Sequence, residues 1–299
     1  MKVSVVIITI VRENLYTLVK QILEQDVNFD FEVVLIPQPK GKLERDNLPH
    51  DDRVKIFEED MNKGFGYYRQ LGVDKSHGEV IVWIDDDQNP MNNKWLASIS
   101  RSIIEGKEKV TTSGIHIPLG QGYITDSISW LGFPGGGYPG FKVMWKVDED
   151  NYTGHLCTGN FAIERQILLE CGGFSHKQKS GNEDVELSDR LKEKHIKFLY
   201  VPEATVYHEA RGSLADFTKW HIERGAGHQD LKKSGKMGGG KIKNGLRSAL
   251  QILRMSLFTK YFPMVLFLTT YQFFLQFLGF LGVFKRSYRY YENKKDTVS

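Results

Sequence analysis

Short apolar runs alternate with helical patterns over the first third of the chain. Residues 3–11 form a continuous, largely β-branched run, which is typical of a strand buried on both faces of a parallel sheet. Leu15, Leu18, Val19 and Ile22 then recur with helical spacing. Residues 31–36, 54–57 and 79–84 predict three more strands, with a helix over 66–76. This alternation predicts a doubly wound α/β sheet.

The pattern becomes less regular after the fourth predicted strand. Residues 113–159 are rich in glycine, proline and aromatic side chains, which predicts loops over a pocket. A strand over 159–163 and a helix from an Asn182 cap to about Ile196 follow. Residues 197–201 and 204–207 predict two short strands that complete the α/β region.

A long apolar segment follows at residues 261–284. It has 24 residues, no charge and seven phenylalanines. As a helix it would be about 36 Å long, which exceeds a hydrocarbon core of about 30 Å. Pro263, Gln272 and Gln276 count against a simple span, and Thr269 shares a face with the two glutamines. An interfacial or re-entrant segment and a buried core or dimer helix therefore stay open beside a span.

The charge is distributed unevenly along the 299 residues. The chain carries 40 basic and 37 acidic side chains, a net +3. Residues 1–230 have 27 basic and 35 acidic side chains, a net −8, whereas residues 231–299 have 13 and 2, a net +11. Residues 231–260 hold eight basic residues and no acid, which favours an anionic leaflet. A nucleic-acid arm is disfavoured because no nucleic-acid-binding signature accompanies the charge.

These observations divide the chain into three parts. We expect a catalytic domain over 1–230, a basic Gly/Lys-rich linker with an amphipathic helix over 231–260, and a membrane-associated segment with a basic tail over 261–299. The two cysteines, Cys157 and Cys171, make neither a disulfide framework nor a CxxC zinc motif, which favours a reducing compartment. Arg12, Glu13 and Asn14 follow the first apolar run where a signal peptide would have small residues, so we expect none there.

Carboxylates and a histidine are the candidate chemistry. Asp85, Asp86 and Asp87 follow a predicted strand, at the sheet edge where ligands bind, and suit a divalent cation; a polar turn is the plainer alternative. Glu183 and Asp184 at a helix start would provide a general base, or merely complement the helix dipole. His208, after the last short strand, would serve as a metal ligand or have a structural role. Arg69, in the helix over 66–76, would contact a phosphate or form a structural salt bridge. The segment with Gly64 and Gly66 lacks the third glycine of a dinucleotide-binding fingerprint, which disfavours a Rossmann oxidoreductase.

The order of these motifs resembles the family 2 glycosyltransferases, which have the GT-A fold. The resemblance covers about residues 3–230, and its most specific parts are the aspartate triplet and the Gly-Gly-Phe and Glu-Asp blocks. It implies an α/β, Rossmann-like, mostly parallel sheet flanked by helices, with a membrane-associated C-terminal helical segment. The motifs that carry it are residues 9–12, 62–69, 78–87, 158–163, 172–174, 182–187 and His208, with residues 219–227 resembling membrane-associated members.

The resemblance also implies an activity. Such an enzyme moves a sugar from a nucleoside diphosphate sugar, with inversion at the anomeric carbon and a divalent metal, Mn²⁺ or Mg²⁺. Asp184 would be the general base and Glu183 would orient the acceptor. Asp87 and His208 would bind the metal. The residues that would contact the nucleotide sugar are Thr9, Arg12, Glu13, Lys63, Arg69, Asp85 and Asp86.

Several points stay open at this stage. UDP is the default nucleotide, but residues 36–40 lack the Asp or Gly-Ser pair that many members carry near the base, so GDP and dTDP remain candidates. We expect a glycan or lipid-linked acceptor, a catalytic domain on the cytoplasmic face of a membrane and no nucleic-acid partner; a homo-oligomer stays open. A nucleotidyltransferase of similar fold, which would release pyrophosphate, and an inactive membrane-bound scaffold are the alternatives.

Overall fold

The first strand, β1 (Val3–Thr9), is buried along its whole length and pairs in parallel on both sides. A computed structural model describes residues 2–39, 41–59, 63–132, 135–176, 183–210, 212–233 and 240–283. The predicted Asn182 cap, residues 234–239 of the predicted linker and the basic tail from residue 284 lie outside these residues. The β-branched run of β1 therefore sits at the middle of a sheet, as its sequence predicts.

The described residues form eleven strands and ten α-helices, besides two three-residue 3₁₀ helices. After β1, the strands are β2 (Phe31–Pro37), β3 (Val54–Ile56), β4 (Val80–Ile84), β5 (Gln88–Pro90), β6 (Val110–Thr112), β7 (Ile115–His116), β8 (Tyr152–Thr153), β9 (Asn160–Glu164), β10 (Phe198–Tyr200) and β11 (Val206–His208). The helices are α1 (Asn14–Leu23), α2 (Phe65–Lys75), α3 (Trp95–Ile104), α4 (Tyr123–Ser129), α5 (Phe141–Met144), α6 (Arg165–Glu170), α7 (Glu183–Glu193), α8 (Leu214–Lys233), α9 (Gly240–Ser256) and α10 (Phe262–Leu281).

Eight strands make the main sheet, in the order β3-β2-β1-β4-β9-β6-β10-β8. The pairs β3–β2, β2–β1, β1–β4 and β6–β10 are parallel. Strand β9 lies antiparallel between β4 and β6, and β8 is antiparallel to β10. The sheet is mostly parallel as predicted, and the exchange of direction at β9 places the loop before β9 next to the carboxyl end of β4.

Apolar side chains cover both faces of this sheet. Val5 and Ile7 of β1 pack with α1 and α3 on one face. Val6 and Ile8 pack with α2, α6 and α7 on the other. The alternation of β1 side chains between two separate cores is what a strand in the central layer of three requires.

A smaller, three-stranded sheet lies beside the carboxyl end of β4. Its order is β5-β11-β7, with β11 antiparallel to β5 and parallel to β7. Because β5 starts one residue after Asp87 and pairs with β11, His208 lies opposite Gln88. The short strands thus bring residues more than a hundred positions apart to one edge.

The last three helices share a third apolar core with the α4 region. Phe217 of α8, Ile252 of α9 and Leu268 of α10 pack together with Ile128 and Leu131. Helix α8 continues unbroken through residue 230, so the expected domain boundary falls inside a helix that belongs to both parts. Within the described residues, α10 is the one helix long and apolar enough to cross a membrane.

Candidate active site

The three aspartates after β4 enter different surroundings. Asp85 and Asp87 are partly exposed, whereas Asp86 between them is only 2% exposed. Successive side chains leave the end of a strand in different directions, so neighbouring carboxylates can take separate tasks. The triplet therefore combines one buried carboxylate with two that are accessible at the sheet edge.

The buried carboxylate of Asp86 ties the end of β1 to the end of β4. Its Oδ2 atom accepts hydrogen bonds from the Thr9 hydroxyl at 2.6 Å and from the Ile10 amide at 3.1 Å, and its Oδ1 atom accepts one from Arg12. Burial raises the pKa of Asp86, and Arg12 and Thr9 only partly offset that rise. With both oxygens engaged, Asp86 holds the β1–α1 loop and the Arg12 side chain in place.

Arg12 remains accessible at this edge. Its side chain is 41% exposed, and Nη2 lies 3.5 Å from Oδ2 of Asp87. Burial disfavours the charged guanidinium, but the carboxylates of Asp87 and Asp86 outweigh it and raise the pKa of Arg12. The result is a permanently charged, partly exposed cation held beside two carboxylates.

A buried arginine connects the aspartate triplet to the start of α7. Arg69 donates from Nε to Glu183 Oε1 at 3.0 Å, from Nη1 to the Thr158 carbonyl at 3.0 Å, and from Nη2 to Asp85 Oδ1 at 3.3 Å. Burial disfavours its charge, yet Asp85 and Glu183 raise the pKa of Arg69. Arg69 thus holds Asp85, Glu183 and the loop before β9 in one arrangement.

Two adjacent carboxylates begin α7. Glu183 is buried against Arg69, whereas Asp184 is partly exposed and accepts a 2.7 Å hydrogen bond from the Val185 amide. Burial raises the pKa of both carboxylates, opposed by Arg69 at Glu183 and by Arg224 at Asp184. A partly exposed carboxylate with a raised pKa is suited to accept a proton.

His208 meets Asp87 through the β11–β5 pairing. His208 Nε2 lies 3.3 Å from Asp87 Oδ1, and the Glu209 amide donates to the Asp87 carbonyl at 3.2 Å. The Nδ1 atom contacts the Glu209 carbonyl, which can only accept, so Nδ1 carries the proton. In the neutral ring, the Nε2 lone pair therefore points to the carboxylate.

This carboxylate and imidazole pair fits a divalent cation. A nitrogen and an oxygen lone pair at one accessible edge suit Mn²⁺ or Mg²⁺, which usually complete their shell with substrate phosphates and water. In the part of the chain that the structure describes, no group of three or more His, Cys, Asp or Glu side chains could hold a metal. Asp87 and His208 are two side chains at this edge that could supply such ligands.

A cleft of about 370 Å³ opens beside this pair. One wall comes from the β4 and β11 edges and the other from α8. Its lining residues are Arg12, Asp87, His208, Glu209, Ala210, Gly212, Asp216, Lys219, Trp220 and Glu223. The cleft is polar and charged on the strand side and includes an indole on the α8 side.

The structure does not bring all the expected residues to this cleft. The ammonium of Lys63 contacts the Tyr67 hydroxyl at 3.0 Å and Glu59 at 3.5 Å, on the loop before α2. Glu13 is exposed at the residue before α1. Of the expected site residues, Arg12, Asp87 and His208 line the cleft, and the roles expected of the whole set stay predictions.

Two further residues shape the site without an individual signal in the sequence. A Cβ atom at Gly159 would lie 2.5 Å from Asp85 Oδ2, so only glycine leaves room for that carboxylate. Arg224 of α8 lies 5.2 Å from the centre of the Trp220 ring and acts electrostatically on Asp184. Arg224 lies in the 219–227 pattern that resembles membrane-associated members, but only the fold places it near Asp184.

The family follows from a direct sequence match. The model of Glycosyl transferase family 2 matches residues 4–171, which is more than half of the chain. This chain belongs to that family. The matched region contains β1, the aspartate triplet and the Arg69 helix, and it ends before α7. The resemblance drawn from the motif order is thereby confirmed.

Solved structures confirm the GT-A fold of this family 2 glycosyltransferase. Mannosyltransferase PcManGT from Pyrobaculum calidifontis, solved with GDP-Man and Mn²⁺, has a TM-score of 0.61 at 13% identity, covering 93% of this chain and 86% of that one. GalNAc-T7, solved with UDP, GalNAc and Mn²⁺, has a TM-score of 0.52 at 20% identity, covering 74% and 47%. At these identities the likeness shows the fold alone.

A similar protein with a functional name comes from an archaeon. The glucosyl-dolichyl phosphate glucuronosyltransferase of Haloferax volcanii is 23% identical over 201 residues. The match spans 62% of this family 2 glycosyltransferase and 60% of that relative. The two proteins thus share less than two thirds of the relative's length.

Proposed function

We propose that this family 2 glycosyltransferase moves a sugar from a nucleoside diphosphate sugar, UDP-linked by default, to a hydroxyl of a glycan or lipid-linked acceptor, with inversion. One observation carries the proposal: Arg69 links Asp85, on the donor side, to Glu183, beside a partly exposed Asp184 whose pKa is raised. The nucleotide and Mn²⁺ complexes of proteins with the same fold support it.

The donor would bind along the β1 and β4 edge. Arg12 is the accessible cation there, held by Asp86, and its fixed guanidinium suits a diphosphate oxygen. Asp85 is partly exposed and would accept a hydrogen bond from the nucleotide. Both oxygens of Asp86 accept hydrogen bonds from the protein. Asp86 would therefore act mainly by positioning Thr9 and Arg12 for the ligand.

Asp87 and His208 would hold a divalent cation next to the diphosphate. A cation held there neutralises charge that develops on the leaving diphosphate. Arg12 Nη2 also lies 3.5 Å from Asp87 Oδ2, so the positive charge of the guanidinium is next to the expected cation and diphosphate site. Loss of either side chain should therefore weaken donor binding.

Asp184 would accept the proton from the acceptor hydroxyl. The acceptor oxygen forms its bond to the anomeric carbon as the bond from that carbon to the diphosphate oxygen breaks, and nucleoside diphosphate leaves. A single displacement inverts the anomeric centre and needs no covalent sugar–enzyme intermediate. Glu183, fixed by Arg69, would orient the acceptor, and Arg224 would stabilise the ionised form of Asp184.

The acceptor would enter from the α8 side. Trp220 offers an aromatic face of the kind that stacks on sugars, and Lys219 offers a cation for an acceptor phosphate. The name of the Haloferax relative specifies a lipid-linked substrate, which favours such an acceptor here. A catalytic domain on the cytoplasmic face of a membrane accords with this chemistry.

The test is a product assay with matched variants. The full chain is incubated with UDP-, GDP- and dTDP-sugars, a polyprenyl-phosphate-linked acceptor, and Mn²⁺, Mg²⁺ or chelator, and the released nucleotide is separated by ion exchange. We expect nucleoside diphosphate release with a metal. Asp184→Asn should lower turnover by about 10²–10⁴-fold yet keep the thermal shift with donor, whereas Asp189→Asn on the same helix should keep both.

Four results would contradict parts of the proposal. Retained turnover in Asp184→Asn would remove it as the base. Pyrophosphate release would indicate a nucleotidyltransferase, and folded protein that consumes none of the nucleotide sugars would indicate a scaffold. Asp87→Ala should lose metal-dependent nucleotide binding, and unchanged binding would place the metal elsewhere.

A further inference from the structure

Helix α10 is docked along one face onto the catalytic domain. Its buried positions extend from Val265 to Gly279, about 21 Å of helix. Most of its polar side chains face the protein: Gln276 Nε2 lies 2.9 Å from His221 Nδ1, and the Tyr271 hydroxyl lies 3.1 Å from the Thr218 hydroxyl. Thr270 is exposed and donates to carbonyls of its own helix. The helix therefore has a protein-facing side that includes most of its polar groups.

Two glycines bring α10 into backbone contact with α8. A Cβ atom at Gly225 would lie 2.1 Å from the Gln276 carbonyl oxygen, and one at Gly279 would lie 2.1 Å from the Ile222 carbonyl oxygen. Such a crossing leaves no room for lipid between the helices. The start of α10 is also tied down, because the Tyr261 hydroxyl donates to buried Asp126 at 2.9 Å.

This docking is incompatible with a membrane span. Crossing a hydrocarbon core of about 30 Å requires about 20 apolar residues, and α10 has 20 in total. Most of that length packs on α8, whose opposite side lines the polar cleft at Lys219 and Trp220. A hydrocarbon core around α10 would immerse this charged wall as well.

The other side of α10 and the neighbouring α9 expose apolar side chains. Phe258, in the turn that joins the two helices, is 96% exposed. The exposed apolar residues of this region are Leu246, Leu250, Met255, Leu257, Phe258, Leu266, Phe267, Phe273, Phe274, Phe277 and Leu281. An exposed apolar surface of this extent indicates a binding surface.

The charges of this region select the partner. Residues 240–283 contain five basic residues and no acidic ones. Arg247, Arg254 and Lys260 are exposed. A second copy of the chain would bring like charges face to face, which disfavours association. An anionic lipid surface offers opposite charge outside and apolar depth beneath.

We infer that α9, the 257–261 turn and the outward face of α10 form an in-plane docking surface for an anionic lipid bilayer, with Phe258 inserted. The enzyme lies on one leaflet and does not span. This deepens the membrane location of the proposed function, and it places the cleft about two packed helices, roughly 20 Å, from the lipid surface.

The test is flotation of the full chain with vesicles, without nucleotide. We expect binding to phosphatidylcholine vesicles that contain phosphatidylglycerol, and weaker binding at high salt. Phe258→Glu should lower the partition coefficient at least about tenfold, or about 1.4 kcal/mol. Arg247→Gln with Arg254→Gln should lower it about fivefold for each charge removed. Leu169→Glu, at a 50% exposed apolar position on α6, is the matched control and should bind normally.

Two further measurements complete the test. Alkaline carbonate should release the full chain from cell membranes, and light scattering in detergent-free buffer should show the same mass for wild type and Phe258→Glu. Retention after carbonate would overturn the inference in favour of a span. A dimer that Phe258→Glu dissociates, or vesicle binding unchanged by that substitution, would overturn it as well.

The outcome is separable from that of the proposed function. Nucleotide release is measured on the same preparations with a short, water-soluble acceptor. If the vesicle results hold and no nucleotide is released, the sugar transfer fails and the docking surface stands. If nucleotide is released and Phe258→Glu binds vesicles normally, the docking surface alone fails.

Discussion

Arg69→Met should destabilise the protein strongly at neutral pH. Arg69 and Glu183 are both nearly inaccessible, and their ion pair is 3.0 Å long. Removing one partner of a buried pair costs about 3–5 kcal/mol, because the other charge stays buried without compensation. The Thr158 carbonyl also loses its donor from Arg69. Against a total stability of about 5–15 kcal/mol, the change in unfolding free energy should be plain.

The cost should depend on pH. Burial already raises the pKa of Glu183 above its ordinary value, and Arg69 opposes that rise, so its removal raises the pKa further. A carboxyl whose folded pKa exceeds its unfolded pKa of about 4.3 takes up a proton more readily in the folded state. The deficit of the variant is therefore full above the folded pKa and shrinks as the pH falls towards the unfolded pKa.

The assay is urea unfolding followed by circular dichroism at about pH 7.5 and pH 5. Arg69→Met with Glu183→Gln should recover much of the loss, since no buried charge remains. Arg165→Met is the matched control: Arg165 donates to the Gly78 and Val73 carbonyls and to the Ser76 hydroxyl, which are neutral. Its cost should vary little with pH. A deficit for Arg69→Met below about 1 kcal/mol, or equal at both pH values, would refute the reasoning.

Three other substitutions test the site and its support. Gly159→Ala should raise the donor Kd about tenfold without unfolding the protein, because a Cβ atom would lie 2.5 Å from Asp85 Oδ2; calorimetric donor titration measures this. Gly279→Ala should lower the unfolding free energy by at least about 1–3 kcal/mol, because it separates α8 from α10. Arg224→Gln should move the acid limb of kcat/KM to higher pH, because Arg224 lowers and burial raises the pKa of Asp184.

The two glycine substitutions each have a reference variant. Gly154→Ala places its Cβ atom 3.5 Å from a lysine side chain, an ordinary contact, so donor binding should not change. Gly245→Ala meets nothing within 4 Å and should stabilise α9 slightly, by about 0.5–1 kcal/mol. Equal effects in test and reference variants would show that packing at Gly159 or Gly279 is not the cause. An unmoved acid limb in Arg224→Gln would remove the coupling to Asp184.

Local pattern predicted the strands that bury both faces. The apolar runs of β2 and β4 lie within a residue of their predicted bounds and β1 ends two residues before its predicted end, because such runs have few other stable environments. The direction of β9 was not predictable in this way. A five-residue apolar strand reads the same parallel or antiparallel, and its direction depends on the length and course of the irregular region before it.

The residues of the site were predictable by type but not by geometry. The order of motifs singled out Asp87 and His208, and their contact depends on two three-residue strands with no periodic signal of their own. The hydrogen bonds that hold Asp86 include one from the Ile10 backbone amide, which no pattern of side chains can predict. The sequence of α10 is compatible both with a membrane span and with docking in the membrane plane. The difference lies in what packs against its polar face, and in the fold α8 packs there.

Helix α8 is in contact on two sides, and this limits how its sequence can change over evolution. Between residues 216 and 225, one set of positions lines the cleft and another packs on α10. A surface helix normally has one solvent-exposed face on which substitutions accumulate freely. Residues 216–225 of α8 have almost no such face. A saturation library of these ten positions should lose the period of about 3.6 residues that tolerance shows in other surface helices. Changes of acceptor preference would then arise mainly as paired substitutions, one in α8 and one in α10.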